Sequence, residues 1–588
     1  MKSDKISNKK HAEIQNMRDG AKGLQKRRHT EWQENYRLYR NKVEKNRVTQ
    51  RQSVSIPLMK ETIQTTLSKT DEAPDIYFES LSGDKQKEIF LNEYWNKSKD
   101  DDAFVIKDTV DKKMAYLYGR SGMKLNIYNG QIHTEVLEPI DILIGDNADP
   151  ADIDNTAMYV AHRNIFQTLD QVLSNETYTD ESSLKELKDH FHKNSGDSDR
   201  NYEAMLSRKD RLSDLGWSIS IESGQKLVRL TEHYVKEWNE DMQDFEVMYC
   251  VEAEDKYPLV YKPLKEVLGV NFFPIETWAT DTERTDIWSD GIGDIARTPN
   301  KIVNAWFSQL VENRTMKNLG MTMYNSSENK DFSPNSFTPR PWGWYPIPGN
   351  PNELTRPIDI PDLSGSLDEM GFVINSLERA TASTAILKGQ SESGQQTLGE
   401  VMELVKSSTE RVTSLTKYYR ESRRRLGEKW YKLAMNNKDK LEPIKVYKKS
   451  AKDNMYSQEI KHDDWMDEEG YECKVTSKAE STQKTVQEIK KLQLMAQEFA
   501  GNRPLQKILK KRLLDLGEFS AEEIEEVMGY EEQKQEMQDV NPENLAMAPR
   551  GPQGGGQAPQ APNPQGAERM QELAAQAMPE GAVEGMTN

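Results

Sequence analysis

Apolar and polar positions change period several times along this chain. Trp32, Tyr36, Tyr39 and Val43 fall four, three and four residues apart, the stripe of an amphipathic helix that docks on something. Arg47 to Lys60 (RVTQRQSVSIPLMK) reads as an extended link into a second helix starting after Pro57. From Ala73 the texture shifts: Ile76–Tyr77–Phe78 is strand-like and Lys85 to Tyr118 carries helical spacing. Gly122 to Leu137 alternates as a hairpin around Asn129–Gly130, because both turn positions tolerate positive φ. A polar insertion from Thr177 to Leu215 breaks the pattern, and strands resume at Lys226 to Val235 and Phe245 to Val251. These pieces predict a mixed α+β unit reaching about residue 285.

The remainder is mostly helical. Thr298–Pro299 offers an N-cap and a first-turn proline, with Val303, Trp306, Phe307, Leu310 and Arg314 following on one face. Asn325 to Pro361 is rich in Pro, Asn and aromatic residues. A helix restarts at Ser366, whose capping box with Glu369 precedes Met370, Val373, Ile374 and Leu377, and the polar run from Lys388 to Gln396 interrupts it. Val401, Val405, Val412, Leu415, Tyr419, Leu426, Trp430 and Leu433 then keep a 3.6-residue rhythm, broken by Arg423, Arg424 and Arg425. Short strands are expected at Ile444 to Tyr447 and Tyr471 to Val475. Helices are expected over Thr482 to Phe499, Leu505 to Leu516 and after Ser520. From Asn541 onward there is no aromatic residue, and the Pro, Gln, Gly and Ala content reads as a disordered tail.

Composition narrows the class. The 588 residues allow about three to five units. Only 35% are apolar and 30% are charged, yet Trp 11, Tyr 23 and Phe 14 suffice for packed cores. The net charge of −18 disfavours whole-surface binding to a phosphate backbone, but not a passage through which DNA slides without sticking. The first sixty residues run the other way, with sixteen Lys and Arg against six Asp and Glu. Two cysteines, Cys250 and Cys473, rule out a disulfide framework and a thiolate zinc cluster. The opening MKSDKISNKK has no apolar core of a secretory signal, and no run approaches the roughly 20 apolar residues that span a bilayer.

Motifs for chemistry are sparse. Gly119 to Lys124 (GRSGMK) lacks the four residues a P-loop holds between its glycines, and Gly291-Ile-Gly293 is half a dinucleotide fingerprint. The acidic run around Asp146, Asp149, Asp152 and Asp154 puts Ala or Pro where an EF-hand needs oxygen ligands, and reads as an Asp/Pro turn after a strand. His190 and His192 lie in the polar insertion with no carboxylate or thiol at metal spacing, and read as part of a surface loop. No Gly-x-Ser-x-Gly elbow occurs. No catalytic residue, metal ligand or cofactor is therefore assigned.

Taken in order, these segments resemble the portal proteins of tailed bacteriophages, particularly the larger short-tailed-phage type. The resemblance runs from Trp32 to Arg40 (WQENYRLYR) and the Arg51 to Pro57 link through Tyr116 to Leu125 (YLYGRSGMKL). It continues through Leu137 to Val160 (LEPIDILIGDNADPADIDNTAMYV) and Gly291 to Arg314 (GIGDIARTPNKIVNAWFSQLVENR). It is one of order and texture, spanning most of residues 24–540. It implies an α+β subunit with N-terminal helices and a mixed wing over 1–285, and a first stem helix over 286–324. A clip over 325–365, a second stem helix over 366–384 and a tunnel loop over 385–397 follow. A long wing helix with return strands over 398–478, a helical crown over 479–540 and the tail over 541–588 complete the subunit.

The resemblance further implies a dodecameric ring at one capsid vertex of the virion, made in the host bacterial cytoplasm. Such a ring is the entry and exit channel for double-stranded DNA. It docks the terminase large subunit and then head-completion and tail adaptor proteins, and it sits among major capsid and scaffolding proteins. Twelve copies at −18 each would carry about −216, so subunit contacts need local complementarity. The basic N-terminal region and Arg423, Arg424 and Arg425 are expected to supply it between subunits. Lys388, Gln390, Ser391, Glu392, Ser393 and Gln395 are expected to face the channel. Trp342, Trp344 and Tyr345 are expected to meet the motor and then the adaptor, as aromatics dominate interfaces. A scaffold or minor capsid component, and a metal-dependent nuclease with ligands scattered in sequence, remain alternatives at this stage.

Overall fold

A computed structural model of the chain describes residues 6–42, 54–70, 74–193, 227–284, 286–319, 322–324, 355–357, 365–381, 398–449 and 455–477, with three single positions beyond 490. The chain divides into two units, Met1–Lys490 and Lys491–Asn588, and the elements below all belong to the first. In order they are α1 Asn8–Tyr39, α2 Leu58–Thr70, β1 Pro74–Ser80, α3 Lys85–Asp101, α4 Phe104–Tyr118, β2 Arg120–Tyr128, β3 Gln131–Leu137, β4 Ile142–Ile144, α5 Ile153–Thr156, β5 Tyr159–Thr168, α6 Leu169–Ser174 and α7 Glu181–Lys193. Then come β6 Leu227–Asn239, β7 Asp244–Ala253, β8 Tyr257–Pro263, α8 Leu264–Leu268, β9 Ile275–Ala279, α9 Ile292–Leu319, β10 Thr322–Tyr324, β11 Thr355–Pro357, α10 Ser366–Thr381, α11 Leu398–Asn436, β12 Ile444–Lys449, β13 Met455–Ile460, α12 His462–Trp465 and β14 Tyr471–Ser477. The architecture is α+β.

The largest sheet is a five-stranded meander in the order β4-β5-β6-β7-β8, antiparallel throughout. A three-stranded sheet, β3-β2-β9, stands beside it, and β2–β3 is the expected hairpin with Asn129 and Gly130 both at positive φ. Strand β1 pairs with β14, Phe78 opposite Cys473, so the first strand of this unit closes on the last. Helix α11 lies against that pair so closely that a Cβ on Gly427 would sit 2.6 Å from Cys473 Sγ. Trp430 on α11 centres the aromatic core, with Trp95 at 4.8 Å and Phe78 at 5.9 Å between ring centroids. Such edge and offset contacts add to the area these rings already bury.

Several expectations needed correction. Lys85 to Tyr118 is helical as expected, and divides into two helices where Ala103 adopts left-handed φ and Asp102 turns inward to accept from His133 Nδ1 and Thr134 N at 2.9 Å each. Helix α9 starts at Ile292, seven residues before Pro299, which lies inside it. Its start is fixed by the Gly291 amide donating to Asp294 Oδ2 at 2.9 Å, a tertiary-supported cap that Thr298–Pro299 outranks only on local propensity. His190 and His192 sit on helix α7, not on a loop or a strand. Strand β13, the partner of β12, was not expected. Val43, the first half of the Arg47 to Lys60 link, the helices expected past 480 apart from three single positions, and the tail from Asn541 lie outside the described residues.

Candidate functional site

Helices α9 and α10 leave and re-enter the body of the unit as a packed pair. Their outer ends carry β10 and β11, paired antiparallel with Met323 opposite Arg356. Ala296 and Val303 of α9 and Met370 and Leu377 of α10 are buried, which is the expected inward stripe of each helix. Large apolar side chains also point away from the body. Phe372 is 72% exposed and Leu367 53%, with Ile295 and Val311 exposed on α9. At about 100° per residue, Leu367 and Phe372 stand about 140° apart around α10, and Ile295 and Val311 about 160° apart around α9, so these are separate exposed side chains, of which Phe372 is the most exposed.

The pair is anchored at its base by polar contacts that pattern reading did not find. Asn300, Asn304 and Ser308 recur every four residues on one face of α9. Their side chains accept from the amides of Met59 at 2.8 Å, Ile56 at 2.8 Å and Val54 at 3.1 Å. Two of these satisfy the extended link before α2 and the third, to Met59, an otherwise open amide in the first turn of α2. The signal available was a polar i, i+4, i+8 stripe running beside the apolar one. Below it, Arg28 of α1 donates to Asp294 Oδ2 at 3.0 Å and to Asp290 Oδ1 at 2.7 Å, tying α1 to the first turn of α9.

Helix α11 is pinned by charge. Arg423 is fully buried, its Nε 2.6 Å from Asp108 Oδ1 and its Nη2 bonded to Asp111. Lys112 Nζ lies 3.1 Å from Asp108 Oδ2, so two cations meet two carboxylates with no excess charge. Tyr419 donates to Asp108 and Trp278 to Asp111, both at 2.6 Å, and Ser121 donates to Asp111 at 2.7 Å. Burial alone would lower the Arg423 pKa; Asp108 and Asp111 more than offset it and hold the guanidinium ionised. One helical turn and a half along, Lys429 bridges Glu276 at 2.7 Å and Asp154 at 2.7 Å. The acidic run around Asp146 is thus a turn whose last carboxylate reaches back to α11.

The three arginines expected between subunits therefore separate. Arg423 is consumed inside its own chain, because its guanidinium faces inward and reaches both aspartates of α4, Asp108 and Asp111. Arg424 reaches Glu421 at 2.6 Å and Glu428, and Arg425 reaches Glu421 at 3.3 Å and Asp152 at 3.8 Å, both side chains partly exposed. Trp342, Trp344 and Tyr345, and Lys388, Gln390, Ser391, Glu392, Ser393 and Gln395, lie outside the described residues.

Reactive groups are held inert. Burial pushes the Cys473 thiol up to about 12 and the Cys250 thiol higher still, so neither is a thiolate near neutrality. Burial likewise lowers His162 to about 3. Among the described residues no group of three or more His, Cys, Asp or Glu is placed to hold a metal ion, and no helix is long and apolar enough to cross a membrane. No protein-family model matches the chain, and no curated protein matches it.

Proposed function

We propose that this chain is the subunit of a phage portal: a ring at one capsid vertex through which double-stranded DNA enters and leaves. The observation that carries the reading is the α9–α10 pair. It projects from an α+β body, carries a short strand pair at its outer end, and keeps Phe372 and Leu367 exposed. In a ring the same helix pair of a neighbour covers those side chains, a heterologous contact that closes on itself. The chain is non-enzymatic in this reading; the ATPase of the terminase motor drives the DNA. The polar run holding Lys388 and Glu392 faces the channel, and the segment holding Trp342, Trp344 and Tyr345 meets the motor, then the head-completion and tail adaptor proteins. Arg424 and Arg425 remain candidates for subunit contacts, and Arg423 is withdrawn from that role.

Electron microscopy of the purified full-length chain, with native mass measurement on the same sample, tests the proposal. Closed rings of about twelve copies with a central hole support it. Rods or elongated dimers point to a scaffold instead. A compact monomer that hydrolyses DNA with a divalent metal overturns the reading in favour of a nuclease.

A further inference from the structure

Helix α1 is one continuous helix held in two separate places. Its second half is locked into the body: Gln25 donates to the Pro139 and Ile142 carbonyls at 2.6 and 2.7 Å, and Trp32 Nε1 to the Tyr118 carbonyl at 3.1 Å. Its first stretch, residues 6–19, lies on the outer face of the five-stranded sheet. There only Ile6 and Ile14 are buried, and the hold is otherwise electrostatic. Glu252 is its centre, 99% enclosed, accepting from Gln15 at 2.7 Å and Arg18 at 2.6 Å and lying 2.7 Å from His11 Nε2. Lys10 adds an ion pair to Glu237 at 3.1 Å. Lys10 and Arg18 of the arm thus reach carboxylates of the sheet, each also paired within the arm, to Glu13 and Asp19.

Gly20 and Gly23 stand where the two anchorages meet, on either side of Ala21, which is buried in the same sheet-side cluster as Ile6 and Ile14. Neither has positive φ, and a Cβ on either would meet nothing within 4 Å. Packing therefore does not require glycine there, although glycine weakens a helix interior wherever it occurs. A weak point placed between a firm anchor and a polar one is what a hinge needs.

We propose that residues 6–19 are an exchangeable arm, and that the cradle formed by Glu237, Glu252 and the apolar patch around Val235 and Tyr159 receives the same arm from a second copy of this chain. The occupant follows from chemistry: the cradle complements this arm in charge and shape, and an identical arm offers identical groups. Exchange of an identical element is a low-cost route to association. It also sets Lys10 and Arg18 of one copy against Glu237 and Glu252 of the next, where the net charge of −18 on each would otherwise repel. The inference rests on the self-association proposed above, not on DNA passage.

The test uses the full-length chain in equal amounts of natural-abundance and nitrogen-15 forms, assembled together, with native mass measurement showing that the assemblies are mixed. A zero-length carbodiimide reagent then joins Lys10 to Glu237, and peptide mass spectrometry reads the isotopes of the joined pair. Mixed-isotope pairs approaching half of the total are expected. The double variant Gly20→Ala, Gly23→Ala should lower that fraction several-fold by stiffening the hinge. Unmixed pairs only would place every arm in its own cradle and overturn the proposal while leaving closed rings intact. Absence of the Lys10–Glu237 joint, or a chain that stays monomeric, overturns it as well, the latter together with the ring.

Discussion

Arg423 on the long helix α11 and Asp108 on α4 lie 2.6 Å apart, in one chain, with both side chains closed to water. They join residues more than three hundred positions apart in sequence, and they do so at a site that also holds Asp111 and Lys112. Replacing Arg423 by Met leaves two buried carboxylates facing one lysine. Removing one partner of such a buried set costs about 3–5 kcal/mol. The double variant Arg424→Ala, Arg425→Ala, at partly exposed pairs, should cost at most ~1 kcal/mol. Urea unfolding of all three chains checks the contrast; equal losses would mean that Arg423 is not the pin described above.

Gly119 closes α4 at φ +93°, and a Cβ there would lie 1.8 Å from the Ser289 carbonyl oxygen. No side-chain motion relieves a clash with backbone. Gly119→Ala is expected to destabilise the unit by at least ~2 kcal/mol, combining left-handed strain with displacement of the Ser289–Asp290 backbone leading to α9. Gly20→Ala, in open space, should stabilise by about 0.5–1 kcal/mol. Thermal unfolding of the pair of variants reads the opposite signs.

These two sites show what was legible in the chain and what was not. The periodic stretches were: β1, the β2–β3 hairpin, β6, β7, α10 and the 39-residue α11 all appear where apolar rhythm and turn residues placed them. Local chemistry suffices for these, since a helix stripe or an Asn-Gly turn is decided within a few residues. What escaped was set by distant contacts. The break at Ala103 depends on Asp102 finding His133 and Thr134, and the start of α9 depends on Asp294 finding Arg28. Gly119 and Gly291 looked like fragments of phosphate loops, yet they are glycines because two backbones cross there; a Cβ on Gly291 would lie 2.6 Å from the Gly119 nitrogen. Arg423 looked like part of a surface cluster because its neighbours in sequence are Arg424 and Arg425. A helix turns each consecutive residue about 100°, so three adjacent arginines cannot share one environment.

Two carboxylates, Asp154 and Glu276, share the one ammonium of Lys429, with Arg425 nearby, and the more deeply buried Glu276 carries the charge that is least compensated. Burial, working against Lys429, pushes its carboxyl up from 4.5 to about 7. A group whose pKa is raised on folding holds its proton better in the folded chain. Its contribution is therefore full below about pH 4.5 and is lost as pH rises through about 7. The span has a ceiling of roughly 3 kcal/mol at 1.36 kcal/mol per pH unit. Urea midpoints taken between pH 5 and 8 should fall for the native chain relative to Glu276→Gln. A constant difference across that range would show that Glu276 does not titrate there.

The link before α2 has no strand to pair with, and Asn300 serves it from inside α9. Its side chain accepts from Met59 N at 2.8 Å and donates to Ile56 O at 3.2 Å in a buried setting. Asn300→Ala strands the Met59 amide, at about 1–3 kcal/mol, while the Ile56 carbonyl keeps the Leu58 amide at 2.9 Å. Hydrogen exchange should rise at Met59 while the amides of α11 keep their protection. Unchanged exchange at Met59 would show that another group satisfies that amide.

Phe372 offers the sharpest separation between folding and assembly. It is 72% exposed on α10, whose buried side is already occupied by Met370 and Leu377, so the subunit gains almost nothing from its ring. Replacing it by Asp should change the unfolding free energy of the single chain by no more than ~0.5 kcal/mol. The same change places a charge in the middle of the face that a neighbouring copy is proposed to cover. Truncating a well-buried aromatic anchor at an interface costs 2 kcal/mol or more per contact, and a ring repeats the contact at every subunit. Phe372→Asp should therefore abolish closed assemblies in native mass spectra at concentrations where the unaltered chain assembles, and Leu367→Asp should do so to a lesser degree. Phe372→Leu, which keeps an apolar surface, should restore most of the assembly. A Phe372→Asp chain that still closes would mean that the exposed face of α10 around Phe372 faces solvent in the assembly.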